Sequence, residues 1–210
     1  MWSASAPKFS AKVDNPYVPL TTVPVTVFEG VDSDPEEPKP IKTRVETRAL
    51  PKTVRVAGVD VTAVRVKEYE GGKLKEATTD YFAQRRDGAV IYFGQRVDNY
   101  RNGKIVAHRG EWIAGRKNAK RGLFMPANPK VGQVFVQERV PGIAIDRSTV
   151  LAVGRTITTP AGTFGDCMKV RDYAVIDKVS ETKYYCAGIG LVRDDERHAT
   201  SSLTKYERAG

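Results

Sequence analysis

The chain has 210 residues, of which 40% are hydrophobic and 28% are charged, and this composition is ordinary for a globular protein. A net charge of +9 favours contact with anionic partners without choosing among them. Two cysteines exclude a multi-disulfide scaffold, a cysteine-rich zinc site and a C-x-x-C redox motif.

The N-terminus, MWSASAPKFSAKVDNPYVPL, lacks the charged start and apolar stretch of a signal peptide. The sequence therefore predicts a cytoplasmic protein, or an extracytoplasmic one (secreted or periplasmic) if Met1 was added to a mature chain. No apolar run is long enough to span a membrane. We expect residues 1–12 to form a flexible arm and residues 13–210 to form a single β-barrel-like domain.

Segments rich in β-branched and aromatic residues dominate the rest of the chain. They predict strands over Val59–Tyr69, Thr78–Arg85, Ala89–Val97, Gln133–Val140, Thr149–Thr158 and Cys167–Ile176. Turn signals separate them: EGGK at 70–73, RDGA at 86–89, RNGK at 101–104 and PAGT at 160–163. This spacing predicts an all-β fold, an antiparallel meander closing into a barrel or a strongly curved sheet, with few short helices.

Two loops stand out by their charge. Asp32–Pro40 is acidic and proline-rich, which predicts an exposed loop. GRKNAKRG at 115–122 is basic and has room for one short helical turn. The second loop is either a solvated loop or a contact for an anionic surface. The residues of that contact are Arg116, Lys117, Lys120 and Arg121.

The predicted strands mix polar and apolar residues on the same face. One face of residues 78–86 carries Thr78, Asp80, Phe82, Gln84 and Arg86. A barrel with a partly polar, ligand-sized interior would produce this mixing, and so would a sheet with both faces partly wet. For the first case, the candidate ligand-binding residues are Arg65, Tyr81, Tyr92, Met125, Gln137, Lys183 and Tyr185.

Motifs for metal, nucleotide and nucleophilic chemistry are missing from the sequence. His108 and His198 are far apart and belong to no metal-binding pair, so we predict no metal site. The chain has no G-x-S-x-G elbow, no phosphate-binding glycine loop and no legible nucleic-acid motif. We therefore predict no cofactor and no nucleic-acid partner.

Acid–base chemistry is the catalytic class that the sequence leaves open. Carboxylates in or beside the predicted strands are Glu68, Asp80, Glu111, Glu138, Asp166 and Asp172. A carboxylate beside a tyrosine in a cavity could act as base and acid. The candidate catalytic residues are Glu68, Asp80, Asp172 and Tyr184. Asp172 shares a face with apolar residues and would need a partner such as Arg65 or Lys183, so a structural ion pair is the alternative.

In the segment KYYCAGIGLV, at 183–192, a cysteine directly follows two tyrosines. If 167–176 and 179–187 form a hairpin turning near residues 177–178, Cys167 and Cys186 lie opposite each other. We predict that the two cysteines are neighbours, bonded if the protein is exported. The two following glycines are then expected to form a bulge or a bend.

Five motifs follow one another along the chain. They are NPYVPL at 15–20, YFAQRRDGAVIYFGQ at 81–95, MPANPKVG at 125–132, TPAGTFGDC at 159–167 and KYYCAGIGLV at 183–192. Together they resemble a family of bacterial, mostly secreted or lipid-anchored β-rich proteins without an established activity. The resemblance spans roughly residues 14–193 and implies an extracytoplasmic setting and a barrel-like fold. It implies no catalytic residues.

Several positions depart from that family's pattern. Ile91 replaces its tryptophan, Gln95 its acidic residue, and Cys186-Ala187 its Ala-Pro pair. The sequence thus supports two main hypotheses. The first is a β-barrel that binds an apolar or amphipathic small ligand or an envelope partner without chemistry. The second is a metal- and nucleotide-independent cyclase, isomerase or lyase that uses cavity Tyr and Asp/Glu side chains.

Overall fold

Long strands joined by tight turns make up residues 8–209, the part of the chain that the computed structural model describes. In chain order the strands are β1 Phe9–Ser10, β2 Val25–Asp32, β3 Ile41–Val56, β4 Val59–Glu70, β5 Lys73–Arg85, β6 Val90–Arg101, β7 Lys104–Ala107, β8 Trp112–Ile113, β9 Gly122–Met125, β10 Val134–Val140, β11 Ala144–Thr159, β12 Gly162–Ala174, β13 Val179–Cys186, β14 Gly190–Asp195 and β15 Ala199–Glu207.

All of these strands belong to one antiparallel sheet. Its order is β10-β11-β12-β13-β14-β15-β2-β3-β4-β5-β6-β7, while β1 pairs with β5, and β8 and β9 pair with β6. The predicted antiparallel meander is confirmed. Of the two predicted forms, the strongly curved sheet is the one found. The pairing order ends at β10 and at β7, and these two strands do not pair with each other to close a barrel.

The described residues contain no helix, and hence none long and apolar enough to cross a membrane. The short helical turn allowed for in GRKNAKRG is also missing. Lys117 and Asn118 there have φ values of 47° and 63°, which a right-handed helix cannot contain. The segment after them, Gly122–Met125, is extended and pairs with β6.

The sequence predicted β4, β5, β6, β10, β11, β12 and β13 and missed the other strands, among them the long β2, β3 and β15. In β3, charged residues alternate with small and apolar ones, and Pro51 falls within the strand. The register with β4 shifts between Ala49 and Thr53, so the proline sits where regular pairing is interrupted. The acidic segment predicted as a loop connects β2 to β3 through residues 33–40.

The N-terminal arm is only partly within the described range, since residues 1–7 lie outside it. Phe9 and Ser10 pair with Arg85 and Gln84 of β5. The Phe9 ring meets the ring of Phe93 edge-on, with centroids 5.7 Å apart. The end of the arm is therefore held against the sheet by backbone pairing and by an aromatic contact.

Aromatic side chains form the centre of the larger hydrophobic core. Phe82 stacks on Tyr92 with ring centroids 4.9 Å apart, and Tyr92 meets Trp112 edge-on at 5.2 Å. Tyr92 and Trp112 are 6% and 3% exposed. A second, smaller cluster packs around the cysteines of β12 and β13. Its buried members are Phe28, Cys167, Cys186, Ile189, Val192 and Leu203.

The β12–β13 hairpin has the register that the sequence predicted. Cys167 lies opposite Cys186, and the two are joined in a disulfide. Gly188 lies in the turn between β13 and β14 with a φ of 75°, and Gly190, the first residue of β14, has a φ of 94°, in line with the predicted bend. A Cβ at Gly190 would lie 3.3 Å from Pro19 Cδ, so this turn packs tightly on the NPYVPL segment.

Candidate functional site

A cavity of about 670 Å³ lies on the concave side of the sheet. Strands distant in the sheet order line it together, and only curvature of the sheet brings them to one space. Its apolar wall includes Val18, Leu20, Phe28, Val45, Val64, Val66, Phe82, Phe124, Ile189 and Leu191. Its polar lining includes Glu68, Glu76, Asp80, Gln95, Glu138, Asp146, Glu181, Lys183, Tyr185, Asp194 and Glu196.

Because side chains alternate between the two faces of a strand, each lining strand presents one of its faces to the cavity. Along β4 and β5 the even-numbered residues face it, and along β13 the odd-numbered ones do. Those residues are Val64, Val66, Glu68, Glu76, Asp80, Phe82, Glu181, Lys183 and Tyr185. A single face of each strand therefore carries both apolar and ionisable side chains, as the mixed pattern of the sequence indicated.

Lys183 is the centre of an ion-pair network at one side of the cavity. Its Nζ lies 2.6 Å from Glu181, 3.3 Å from Asp172 and 3.8 Å from Asp194. Burial by itself would lower the pKa of Lys183, but the carboxylates of Asp194, Glu181 and Asp172 raise it well above its usual value. Lys183 therefore stays protonated and partly neutralises the carboxylates around it.

Among the described residues, Asp194 is the member of that network whose carboxyl group lacks a hydrogen-bond partner on one oxygen. Its Oδ1 atom is buried and has no hydrogen-bond partner within the described chain. Burial raises the pKa of Asp194 to about 7, and the charge of Lys183 opposes that rise. The carboxyl group is consequently poised to gain or lose a proton near neutral pH.

Asp80 and Tyr92 form a second polar centre. The Tyr92 hydroxyl donates a hydrogen bond to Asp80 Oδ1 over 2.6 Å and lies 3.1 Å from Gln95 Oε1. Burial raises the pKa of Asp80 to about 6, while the hydrogen bond from Tyr92 holds it down. Burial, with a further contribution from the carboxylate of Glu76, raises the pKa of nearby Glu68 to about 7.

A third centre is a carboxyl pair from the β10–β11 hairpin. Glu138 lies opposite Asp146 in the strand register, and Trp112 Nε1 donates a hydrogen bond to Glu138 Oε1 over 3.0 Å. Burial raises the pKa of Glu138 to about 8 against the effect of the Trp112 hydrogen bond, and burial also raises the pKa of Asp146. Two adjacent carboxyls in such a setting share a proton.

Three carboxylates could in principle hold a metal ion. Ligand atoms of Glu181, Asp194 and Glu196 all lie within 4.8 Å of one another in the described chain. Lys183 Nζ already contacts the first two and supplies positive charge at that place. Lys183 thus occupies the role that a cation would have, and we assign no metal to this group.

The structure brings several of the sequence-predicted residues together. Glu68, Asp80, Lys183 and Tyr185 line the cavity, and Tyr92 contacts it through its hydrogen bond to Asp80. Asp172 is not part of the lining, but it lies beside Glu181, its partner in the strand register. It is 5% exposed, accepts a hydrogen bond from Ser148 over 2.6 Å and pairs with Lys183.

Other predicted residues lie away from the cavity lining. Arg65 donates to Thr79 Oγ1 over 2.9 Å. Tyr184 lies on the opposite face of β13, where its ring meets the cations of Lys169 and Arg193. The remaining three are Tyr81 and Met125, which are buried in the larger core, and Gln137, which donates to the carbonyl of Phe124 over 3.3 Å.

Sequence reasoning missed several acidic residues of the cavity, among them Asp146, Glu181 and Asp194. Hairpin symmetry gives a sequence signal for one of these residues. Glu138 and Asp146 face each other across the turn between β10 and β11, so aligning the two arms of that hairpin would have paired them. Lys183 also faces Asp194, but the register of β13 with β14 shifts between Tyr184 and Tyr185, so a simple alignment of those arms would not have paired them.

No protein-family model and no curated protein matches the chain. Among solved structures, it is similar to the crystal structure of a putative lipoprotein from Parabacteroides distasonis ATCC 8503. The TM-score is 0.43 and the identity 12%, over 90% of this chain and 97% of that one. The family resemblance of the five motifs stays a prediction.

Proposed function

We propose that this protein binds a small amphipathic molecule in the cavity on the concave side of the sheet. The observation that carries the proposal is the mixed lining of this space, which contains both apolar and ionisable side chains. Its volume of about 670 Å³ is within the usual range of small-molecule sites. A ligand with an apolar part and a polar part would contact both kinds of lining residue.

The polar residues that line the cavity indicate which charge the ligand carries. Among the described lining residues, eight are carboxylic acids and one is a lysine. The acids are Glu68, Glu76, Asp80, Glu138, Asp146, Glu181, Asp194 and Glu196. Buried carboxylates favour a partner that brings positive charge or hydrogen-bond donors. The polar end of the ligand is therefore an amine or a similar cationic group.

Calorimetric titration with dodecylammonium and its uncharged counterpart dodecanol, both below aggregation, tests this proposal. We expect the ammonium to bind more tightly, and its affinity to increase between pH 5.5 and 8.5 as Asp80, Glu68 and Glu138 lose protons. The Asp80→Asn variant should bind about tenfold more weakly. The exposed Glu36→Gln substitution is the matched control, and equal binding of both probes would contradict the proposal.

The same cavity supports a second candidate function, acid–base catalysis without metal or nucleotide. The observation that favours it is that the pKa values of Asp80 and Glu68 are raised to about 6 and 7, close to the optimum for proton transfer at neutral pH. A cyclase, isomerase or lyase could use these groups with Tyr92 and Tyr185.

Native mass spectrometry of protein purified from its own host separates binding from catalysis. A co-purified molecule that fresh protein leaves unchanged supports the binding function. Conversion of that molecule by the natural protein, and not by the Asp80→Asn variant, supports the enzyme.

We also propose an extracytoplasmic location. Structural disulfides persist in oxidising compartments, and Cys167–Cys186 is such a bond. Mass mapping of the protein from its own host under non-reducing conditions tests this location. Free thiols at both cysteines would contradict it.

A further inference from the structure

A second concave feature, here called the basic groove, lies between β1, β5, β9 and β10. It has a volume of about 440 Å³ and shares no lining residue with the central cavity. Four basic side chains line it, namely Lys8, Arg85, Arg121 and Arg139. Its apolar lining consists of Phe9, Ile91, Leu123, Val134, Phe135 and Val136.

Strand pairing places these cations around one groove. Phe9 of β1 lies opposite Arg85 of β5, and a backbone bridge joins Lys120, the residue before Arg121, to Arg139 of β10. The guanidinium of Arg121 lies over the Phe9 ring, 4.9 Å from its centroid. This stacking orients Arg121 while leaving the edge of its guanidinium able to donate hydrogen bonds.

The charge of the basic groove is poorly compensated. None of the described residues that line it is acidic. Arg85 has a carboxylate partner in Asp87, at 2.9 Å. Within residues 8–209, no ion pair involves Lys8, Arg121 or Arg139. Like charges around a small groove repel one another, and a bound anion would relieve that repulsion.

We propose that the basic groove binds an amphipathic anion, a carboxylate or phosphate head group carrying an alkyl chain. The guanidinium groups of Arg121 and Arg139 suit bidentate contacts with carboxylate or phosphate oxygens. The surface formed by Phe9, Leu123 and Phe135 suits the chain. This ligand is opposite in charge to the one proposed for the central cavity, so the two sites select different molecules.

Calorimetric titration with dodecanoate and dodecyl phosphate, each below aggregation and at low salt, tests the groove. We expect both probes to bind, and the variant Arg121→Ala/Arg139→Ala to bind them at least about tenfold more weakly. The variant Lys104→Ala/Lys130→Ala removes the same charge from positions outside the groove and should bind as the natural protein does. Thermal melting of both variants checks that they are folded.

Further outcomes separate this site from the central cavity. The Asp80→Asn variant, which weakens the cavity, should leave dodecanoate binding unchanged. Inorganic phosphate that binds as tightly as dodecyl phosphate would overturn the role of the apolar surface. Unchanged dodecanoate affinity in the folded Arg121→Ala/Arg139→Ala variant would overturn the groove as the site, whatever the fate of dodecylammonium binding in the cavity.

Discussion

At the scale of single residues, Asn15 and its neighbour Pro16 show how four of the five sequence motifs meet in space. Asn15 is 2% exposed, and its Nδ2 donates to the carbonyls of Gly88 and Pro126 over 2.9 and 3.2 Å. Its backbone N–H donates to Gln84 Oε1 over 2.8 Å. One residue later, the carbonyl of Pro16 accepts from Gly188 over 2.8 Å. Motifs far apart in the chain are therefore joined by hydrogen bonds.

Replacing Asn15 with Ala should lower the free energy of unfolding by about 1–3 kcal/mol, because buried carbonyls would lose their donor. Urea denaturation measures the loss. The matched control is Asn128→Ala, in an exposed loop position, which should change stability by less than about 0.5 kcal/mol. Equal effects of the two substitutions would show that Asn15 does not hold the motifs together.

At the scale of elements, β9 packs against β10 with the two backbones in close contact. A Cβ added at Gly122 would lie 1.8 Å from the carbonyl oxygen of Gln137, so only glycine fits at this point of contact. The contact keeps Arg121 at the mouth of the basic groove and Phe124 at the wall of the central cavity. The short β9 thus contributes to both candidate sites.

The substitution Gly122→Ala should destabilise the protein by about 1–3 kcal/mol, because the added methyl group must push β9 away from β10. Thermal or urea unfolding measures this change. Gly165→Ala is the control, since a Cβ there would meet nothing within 4 Å. A Gly122→Ala variant as stable as the natural protein would show that the two strands separate without cost.

The β12–β13 hairpin gains stability from its covalent link. Cys167 and Cys186 are separated by 19 residues, and closing a loop of that length restricts the unfolded chain by about 3 kcal/mol. The Cys167→Ser/Cys186→Ser variant should therefore lose about 2–3 kcal/mol in urea denaturation. Reduction of the natural protein should produce a loss of the same size, and adding reductant to the variant should change nothing.

At the scale of the whole molecule, curvature of the sheet concentrates carboxyl groups in one space. Burial raises the pKa values of Glu68, Asp80, Glu138 and Asp194 to between about 6 and about 8. The folded protein therefore binds more protons than the unfolded chain between about pH 4 and 8. Under this linkage the free energy of unfolding decreases as pH rises through that window.

We expect the free energy of unfolding of the natural protein to fall by at least about 2 kcal/mol between pH 5 and 8.5, because the folded protein binds more protons than the unfolded chain over this range. Glu138→Gln removes one of the titrating groups and should make the dependence on pH shallower. Urea denaturation at several pH values measures both slopes. Stability that increases with pH over this range would show that the cavity carboxylates are fully charged in the folded protein.

The extent of sequence-based prediction differs between the fold and the site. The sequence predicted β4–β6 and β10–β13 from β-branched runs separated by glycine turns. It missed β2, β3, the short strands and β15, and in β3 alternating charges obscure the apolar pattern. Asp80 was recognised because it shares a strand face with Phe82. Asp146 and Asp194 were missed because their importance depends on which strands face one another across the cavity.

The sequence by itself determined the antiparallel meander, the register of the β12–β13 hairpin and the pairing of Cys167 with Cys186. These features depend on neighbouring segments, and alternation and turn chemistry specify them locally. Only the tertiary structure decided that the sheet curves without closing and that both of its halves line one acidic cavity. Those features arise from the accumulated twist and bend of many strands, which no short stretch of residues encodes.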